Sequence, residues 1–353
     1  MNYRELFRGN RLCRLLGIEY PIIGGGMTWV SDASLCAAVS EAGGVGILAA
    51  GNLSPDLLRE QITRARKLTR KPIGVNLVGI SPNFSSHLDI ALALRPDLVT
   101  LGADPNFQEH IAALLGCGIK VFPLAASVLM ATLAEEAGAQ AVIPEGQEAG
   151  GHISNVSTMP FIPQVVDAVT IPVIAAGGIG DGRGMAAAFA LGAEGIQIGT
   201  ALIVADECGV HENYKQAVLN AEDRSTAITG ISIGKPVRAL RNKLTRQLRK
   251  MEDEGVPWTE IELLAAGKLR EAAQEGNVRE GSVMMGQIAG LIKKKAPVRE
   301  IIESMIEGFV QTIKMLGSKY NVELEYGGDL HGPIRRRGSP ARVQKDSREG
   351  AAA

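Results

Sequence analysis

The run Glu145-Gly-Gln-Glu-Ala-Gly-Gly-His152 joins a carboxylic acid to an imidazole through a glycine-rich loop. Histidine is the side chain best suited to give or take a proton near neutral pH. Gly150 and Gly151 beside it allow backbone to come close to a bound molecule. Glu148, inside the same run, could orient the loop by accepting from backbone donors or could stand in solvent. Two more segments suit an anion: Ala175-Ala-Gly-Gly-Ile-Gly-Asp-Gly-Arg183 and Gln197-Ile-Gly-Thr200. There the N–H groups of Gly177, Gly178, Gly199 and Thr200 can converge on a phosphate with no side chain in the way. A third set suits a flat ring. Gly24-Gly-Gly-Met27 lets the backbone of Gly25 and Gly26 lie against such a ring, with the polarizable Met27 beside it. Asn76 and Gln197 each offer a donor and an acceptor, as a pyrimidine-like ring edge needs. His87, His110, His211 and His331 have no comparable surroundings, and no role is assigned to them.

These groups need elements to hold them. Eight short apolar runs read as strands: Pro21–Gly26, Gly44–Ala49, Ile73–Leu77, Leu98–Gly102, Lys120–Leu124, Ala141–Glu145, Val173–Ala176 and Gly195–Ile198. Between them lie the helix candidates Ser34–Glu41, Pro55–Leu68, Ser85–Leu94, Asn106–Leu115, Ser127–Glu136, Pro160–Ala168 and Arg183–Leu191. Nearly continuous apolar strands alternating with helices indicate a parallel sheet covered by helices. Eight such units, with a glycine or polar residue after almost every strand, predict an α/β fold closed as a TIM (β/α)8 barrel. Reacting groups in such a barrel sit on loops after the carboxyl ends of strands, and each chemical segment above falls at one.

The strand rhythm stops after residue 204, and charge rises. Arg238–Glu254 and Thr259–Gln274 read as polar or amphipathic helices, so a small, mainly helical domain over 205–275 is expected after strand eight. Residues 276–322, with the amphipathic stretch Val298–Leu316, are expected to return and complete the barrel of residues 1–204. The Gly-, Arg- and Ser-rich tail from 323 to 353 is expected to be disordered.

Composition removes several function classes. Hydrophobic residues at 46% and charged residues at 21% of the 353-residue chain suit a globular protein with a large core. The 42 glycines exceed the roughly 7% average and fall at the ends of apolar runs, without the period of a fibrous protein. A net charge of −1 gives no global reason to expect nucleic acid or a membrane surface as partner. The local basic run Arg238, Arg241, Lys243, Arg246, Arg249, Lys250 reads as a solvated helix face or as a docking patch for an acidic partner. Cys13, Cys36, Cys117 and Cys208 stand apart, with no metal-ligand spacing, so no metal is expected and reduced thiols in a cytoplasm fit. No leader-like apolar segment opens the chain, and no window nears the roughly 18 apolar residues of a membrane span.

A phosphate site combined with a pyrimidine-edge reader and a ring platform points to flavin mononucleotide (FMN), and no dinucleotide-binding G-x-G-x-x-G follows a strand. Pro21–Trp29, Gly74-Val-Asn76, the loop from Glu145 to His152, the segment Ile171–Gly184 and Gln197–Thr200 together resemble the nitronate monooxygenase superfamily of FMN barrels. Two branches are similar: nitronate monooxygenases themselves and FMN-dependent enoyl-acyl-carrier-protein reductases of bacterial type II fatty-acid synthesis. Glu145 resembles the reductases, since monooxygenases more often carry Gln there. His211–Lys215, Pro236–Asn242 and Gly281–Gly290 also resemble the reductases. Ala201-Leu202 departs from the Arg-Phe usual in the family.

The resemblance implies a ping-pong cycle in which hydride passes from NADH or NADPH by way of FMN to the β-carbon of a trans-2-enoyl thioester. His152 would then donate the α-carbon proton or stabilise the thioester oxygen. Glu145, Gly150, Gly151, Gly177, Gly178, Gln197, Gly199, Thr200, Asn76 and Gly25–Met27 would bind the cofactor. The resemblance further implies an acyl carrier protein as the substrate's bearer, a homodimer, and a monovalent cation held by carbonyls of Met284–Gly290. The alternative is oxidation of alkyl nitronates by dioxygen. A non-catalytic flavin-binding scaffold is a third reading, against which the imidazole loop argues.

Overall fold

A computed structural model describes residues 3–320; the tail expected to be disordered lies outside the described residues. The apolar runs form β1 (Ile22–Gly24), β2 (Gly46–Ala49), β3 (Ile73–Val78), β4 (Leu98–Gly102), β5 (Lys120–Ala125) and β6 (Ile143–Pro144). A two-residue strand, β7 (Gly151–His152), precedes β8 (Ile174–Ala176) and β9 (Gly195–Ile198). β2 through β6 pair in parallel, each with the next. β8 pairs with β9 and β9 with β1, again in parallel. Bridges Ile23↔Val45, Val142↔Val173 and Glu145↔Ala176 close the remaining gaps, so β1–β6, β8 and β9 form a closed eight-stranded barrel.

Strand alternation explains why these runs are apolar throughout. Ile47, Leu98 and Phe122 join one core, while their neighbours Leu48, Val99 and Val121 join another with Leu58, Ile62, Ile111 and Leu114 of the helices. Successive side chains point to opposite faces, and here both faces are covered. Each fully buried Ile or Leu contributes on the order of 2 kcal/mol. Several helices start on capping side chains that can be read from sequence. Asp32 accepts from Ser34 and Leu35 at the head of Ala33–Glu41, Ser54 caps Pro55–Leu68, and Asp181 caps Gly182–Ala190.

After β9 the chain forms helices Thr200–Ile203 and Glu212–Leu219, then β10 (Thr226–Thr229) and β11 (Val237–Leu240). The helical expectation for this segment is therefore corrected in two places. Arg238–Leu240 belongs to a strand, and the helix starts only at Lys243, where Asn242 and Thr245 form a reciprocal capping box. The stretch expected as one helix over Thr259–Gln274 breaks at Gly267 (φ 74°) into Trp258–Ala265 and Lys268–Glu275. β10 and β11 are antiparallel, and β11 also pairs antiparallel with β7 through Val237↔His152 and Arg238↔Gly151. The inserted segment thereby captures the histidine loop in its own sheet. Helix Val298–Lys319 returns to pack between helices Gly182–Ala190 and Ala33–Glu41, with Phe309 and Phe189 in edge contact. It fills the eighth helix position. No helix among the described residues is long and apolar enough to cross a membrane.

Candidate active site

The loop after β1 meets β3 and the end of β9 at one end of the barrel. Gly25 N–H donates to Ile198 O at 2.8 Å, tying the β1 loop to β9. Ser31 Oγ donates to Gly25 O and accepts from Met27 N–H, which fixes the glycine run from below. A Cβ on Gly26 would overlap Asn76 Cβ, so only glycine lets the loop lie on that amide. The Met27 sulfur lies against Gly199. Gly25, Gly26, Met27, Asn76, Gln197 and Gly199 are thus brought together.

Asn76 and Gln197 are both buried, at 7% and 8% exposure. Asn76 Nδ2 donates to Thr100 Oγ1 at 2.9 Å, which commits the amide's donor and turns its oxygen free. Thr100 is a residue that sequence reasoning missed; its signal is only its place beside Asn76 in the β3–β4 register. Among the described residues neither Asn76 Oδ1 nor the Gln197 amide has a hydrogen-bond partner. Neither is sealed off from solvent: among the described residues the fully buried side-chain polar atom without a partner is His87 Nδ1. An acceptor and an amide left open side by side fit the edge of a pyrimidine-like ring.

Gly177 and Gly178 adopt successive left-handed conformations, φ 90° and 73°, and Asp181 then starts the next helix. Among the described residues the N–H groups of Gly177, Gly178 and Gly199 donate to no acceptor. Consecutive open amides of this kind form an anion-binding concavity. Thr200 Oγ1, by contrast, accepts from Gly286 N–H at 2.9 Å, so its hydroxyl is engaged by the return segment. Ala201 and Leu202, which depart from the family's Arg-Phe, are buried in the core, and Leu202 packs on Gly24.

The histidine loop is held from three sides. Glu148 accepts from Thr158 N–H and Oγ1–H, both at 2.9 Å, capping helix Thr158–Ala168; of its two predicted roles, the structure shows loop orientation. The Gln287 N–H donates to Glu148 O, and a Cβ on Gly150 would lie 2.6 Å from the Met285 carbonyl carbon. Arg238 Nε donates to Gln147 O at 3.0 Å. Arg238 is therefore no part of a solvated basic face: it is 4% exposed, and burial pulls its pKa down against the charge of Glu148. Its position in an alternating Val-Arg-Ala strand was the available signal.

Glu145 follows β6 directly, with no hydrogen bond or ion pair to its carboxyl among the described residues, and burial pushes its pKa up to about 8. His152 presents an exposed edge, yet burial and then the Lys235 charge push its pKa below the ordinary imidazole value. Burial thus disfavours the charged form of both groups. Glu148 also packs against Gly178, so the histidine loop adjoins the anion-binding turn.

The other histidines lie elsewhere. His87 is buried against Leu53 O, His110 pairs with Asp104, His211 caps helix Glu212–Leu219, and His331 is outside the described residues. Of the carbonyls expected near a monovalent cation, Met284 O accepts from Tyr214 OH and Gly286 O from Ala289 N–H. Cys13, Cys36 and Cys208 are buried free thiols, and burial raises the pKa of each. No group of three or more potential metal ligands occurs among the described residues.

Known proteins share this architecture. The chain is 44% identical to FabK from Thermotoga maritima, with a TM-score of 0.85 over 88% of this chain and 99% of that one. A probable nitronate monooxygenase of Staphylococcus saprophyticus is 33% identical, over 80% of this chain and 93% of that protein. The (3aS,4S,5R,7aS)-5-hydroxy-7a-methyl-1-oxo-octahydro-1H-indene-4-carboxyl-CoA dehydrogenase of Mycobacterium tuberculosis is 32% identical, over 84% of this chain and 94% of that protein. The profile of the family described as nitronate monooxygenase matches residues 10–83 and 78–308. The chain belongs to the nitronate monooxygenase family, a family of flavin-dependent oxidoreductases.

Proposed function

We propose that the chain reduces a trans-2-enoyl thioester, carried by an acyl carrier protein, to the acyl thioester. One NADH or NADPH and one proton are consumed, and the oxidised nicotinamide is released. The observation that carries this reading is the meeting of the histidine loop and the cofactor cradle at Met285–Gly286. Gly150 abuts that segment, and Gly286 donates to Thr200. The 44% identity to FabK supports the reductase branch, and the carboxyl-CoA in the name of the Mycobacterium relative supports a thioester substrate.

The residues fit FMN. Gly177, Gly178 and Gly199 would hold its phosphate with open N–H groups, and Gly25–Met27 would support its ring. Asn76 and Gln197 would meet the pyrimidine edge, with Gly151 and Thr200 shaping the surrounding backbone. FMN, when bound, supplies the hydride relay that no side chain can perform. Glu145, protonated at neutral pH, offers one donor and one acceptor, the same pair that a glutamine amide would offer. Neutral His152 donates an N–H to the thioester oxygen, stabilising the charge that builds there as the β-carbon is reduced. Of the two roles left open by sequence, the lowered pKa favours this one over proton donation by an imidazolium. Exposed Arg241, Arg246 and Arg249 would dock the acidic carrier.

Anaerobic mixing tests the reading. NADH or NADPH should bleach the yellow enzyme within seconds, and an enoyl thioester should restore the colour. The competing reading is nitronate oxidation, favoured by the family profile and the Staphylococcus relative. It is adopted instead if nicotinamides leave the colour unchanged while an alkyl nitronate consumes oxygen.

A further inference from the structure

The β10–β11 hairpin ends in Gly230-Ile-Ser-Ile-Gly-Lys-Pro236, a segment not used by the site described above. Its lysine stands beside the active-site imidazole by register. His152 lies opposite Val237, and Ile153 N–H donates to Pro236 O at 3.1 Å, which extends the pairing by one residue. Opposed residues of an antiparallel pair share a face, and alternate residues return to it. Lys235, two positions before Val237, therefore falls on the face of His152. The imidazole also feels its charge directly.

Lys235 is also poised to meet something from solvent. It is exposed, and it forms no ion pair among the described residues. Its ammonium rests over the Trp258 ring, 4.2 Å from the centroid, which limits where the long side chain can wander. The carboxylate of Glu252, which touches the hairpin, is occupied: it accepts from Gly230 N–H at 2.6 Å and from Ser232 Oγ at 3.4 Å. Ile231 at 62% and Trp258 at 39% exposure give the same lip an uncovered apolar surface. An anchored, unpaired cation on such a lip suits a phosphate on an extended, flexible arm.

We propose that Lys235 is a substrate-recruiting residue that engages a phosphate group on a reactant approaching His152. The inference rests on the thioester-reductase reading and names a recognition element of that same site. Two reactants carry such a group, the phosphopantetheine arm of the thioester and the dinucleotide of NAD(P)H. Their shared chemistry is a phosphate ester joined to a reacting end that must reach the barrel mouth.

The FMN-loaded protein is compared as wild type, Lys235→Met, Lys235→Arg and the remote control Lys67→Met. Methionine keeps an apolar stem over Trp258 and removes the charge. One arm pairs an enoyl-CoA with the same enoyl group on N-acetylcysteamine, which has no phosphate. The other pairs NADH with N-benzyl-1,4-dihydronicotinamide, which also has none. Lys235→Met should raise KM about 5- to 10-fold for a phosphate-bearing reactant, with kcat within about twofold, and leave its phosphate-free analogue unchanged. Arginine should restore KM, and added salt should shrink the difference. An effect confined to the thioester arm assigns the phosphate to the thioester's carrier portion, one confined to the nicotinamide arm assigns it to the dinucleotide, and an effect on both assigns both. Equal losses on phosphate-bearing and phosphate-free reactants, or no loss on either arm, overturn the proposal. A wild-type protein that reduces none of these thioesters overturns the reductase reading itself, before any variant is compared.

Discussion

Arg238 Nε donates to the carbonyl of Gln147 across 91 residues of sequence, joining the inserted sheet to the loop that ends in His152. Its Nη1 donates to Thr226 Oγ1 at 3.0 Å, so a single buried guanidinium ties β10, β11 and the loop together. Removing it should loosen the loop without emptying the cofactor cradle. Arg238→Met is expected to cost about 1–3 kcal/mol in a denaturant melt, the range for a lost charged hydrogen bond. Turnover should drop roughly 10-fold through misplacement of His152, with bound FMN retained. Full turnover at unchanged stability would remove the guanidinium from this positioning role.

His152 itself is separable from the cofactor. Its ring belongs to β7, whereas the open groups of the cradle belong to strands β3 and β9 and to the turns after β8 and β9. His152→Ala should keep its flavin absorbance and its bleaching by NAD(P)H. It should lose about 100-fold or more of enoyl reduction, the scale of one positioned proton donor or oxyanion stabiliser. Near-normal turnover in stopped-flow reoxidation would sink the assignment.

How much of this was legible beforehand follows physical lines. The barrel strands are continuous apolar runs because both faces are covered, and that pattern is local to each run. The glycine turns were legible because left-handed backbone at Gly177 and Gly178 is written in the residue type. The strands β10 and β11 were not. Thr226–Thr229 is four residues long and β11 runs into Asn242 and a charged helix, so the helical period of Lys243–Asp253 overwrote it. Arg238 was read with that helix for the same reason. The Glu148–Thr158 cap and the Asn76–Thr100 bond depend on contacts made only once the barrel closes. Sequence spacing does not encode them.

Glu145 gives the site a pH signature. Its folded pKa of about 8 lies above the ordinary 4.5, because burial disfavours the carboxylate. The folded protein therefore holds a proton that the unfolded chain has released, and this group's stabilising contribution is lost as pH rises from about 4.5 to about 8. Glu145→Gln keeps a neutral donor and acceptor at every pH. It should retain most turnover at pH 7, remove the loss of melting stability between about pH 4.5 and about pH 8, and remove the decline near pH 8 from the rate profile. An unchanged decline in the variant would assign it to another group.

The carrier docking proposed for the remaining arginines can be tested apart from Arg238. Arg241, Arg246 and Arg249 are exposed, and Arg246 and Arg249 have no ion pair among the described residues. Reversing charge with Arg241→Glu and Arg246→Glu should raise KM for a carrier-bound enoyl substrate by about 10-fold or more at low salt. A coenzyme A analogue lacks the acidic protein surface, so its KM should stay unchanged. Equal effects on both substrates would show that the arginines act on the shared arm or on the fold, not on the carrier.

Gly26 tests whether the cradle's close packing serves a ligand or only the fold. An added Cβ meets Asn76 Cβ first, then its Cγ at 3.0 Å and Ile47 Cγ2 at 3.3 Å. The neighbour cannot move cheaply, because Thr100 Oγ1 holds the Asn76 amide and Ile47 is part of the barrel core. Gly26→Ala should therefore turn the Asn76 oxygen away from the ring edge and cost about 1–3 kcal/mol as overpacking. If the cradle holds FMN, its dissociation constant, measured by fluorescence as released flavin recovers its emission, should rise by at least 10-fold. The rise should exceed that of Ile47→Val, which perturbs the same core and leaves the glycine surface intact. Equal flavin affinity in the two variants would mean that the close approach at Gly26 serves barrel packing alone.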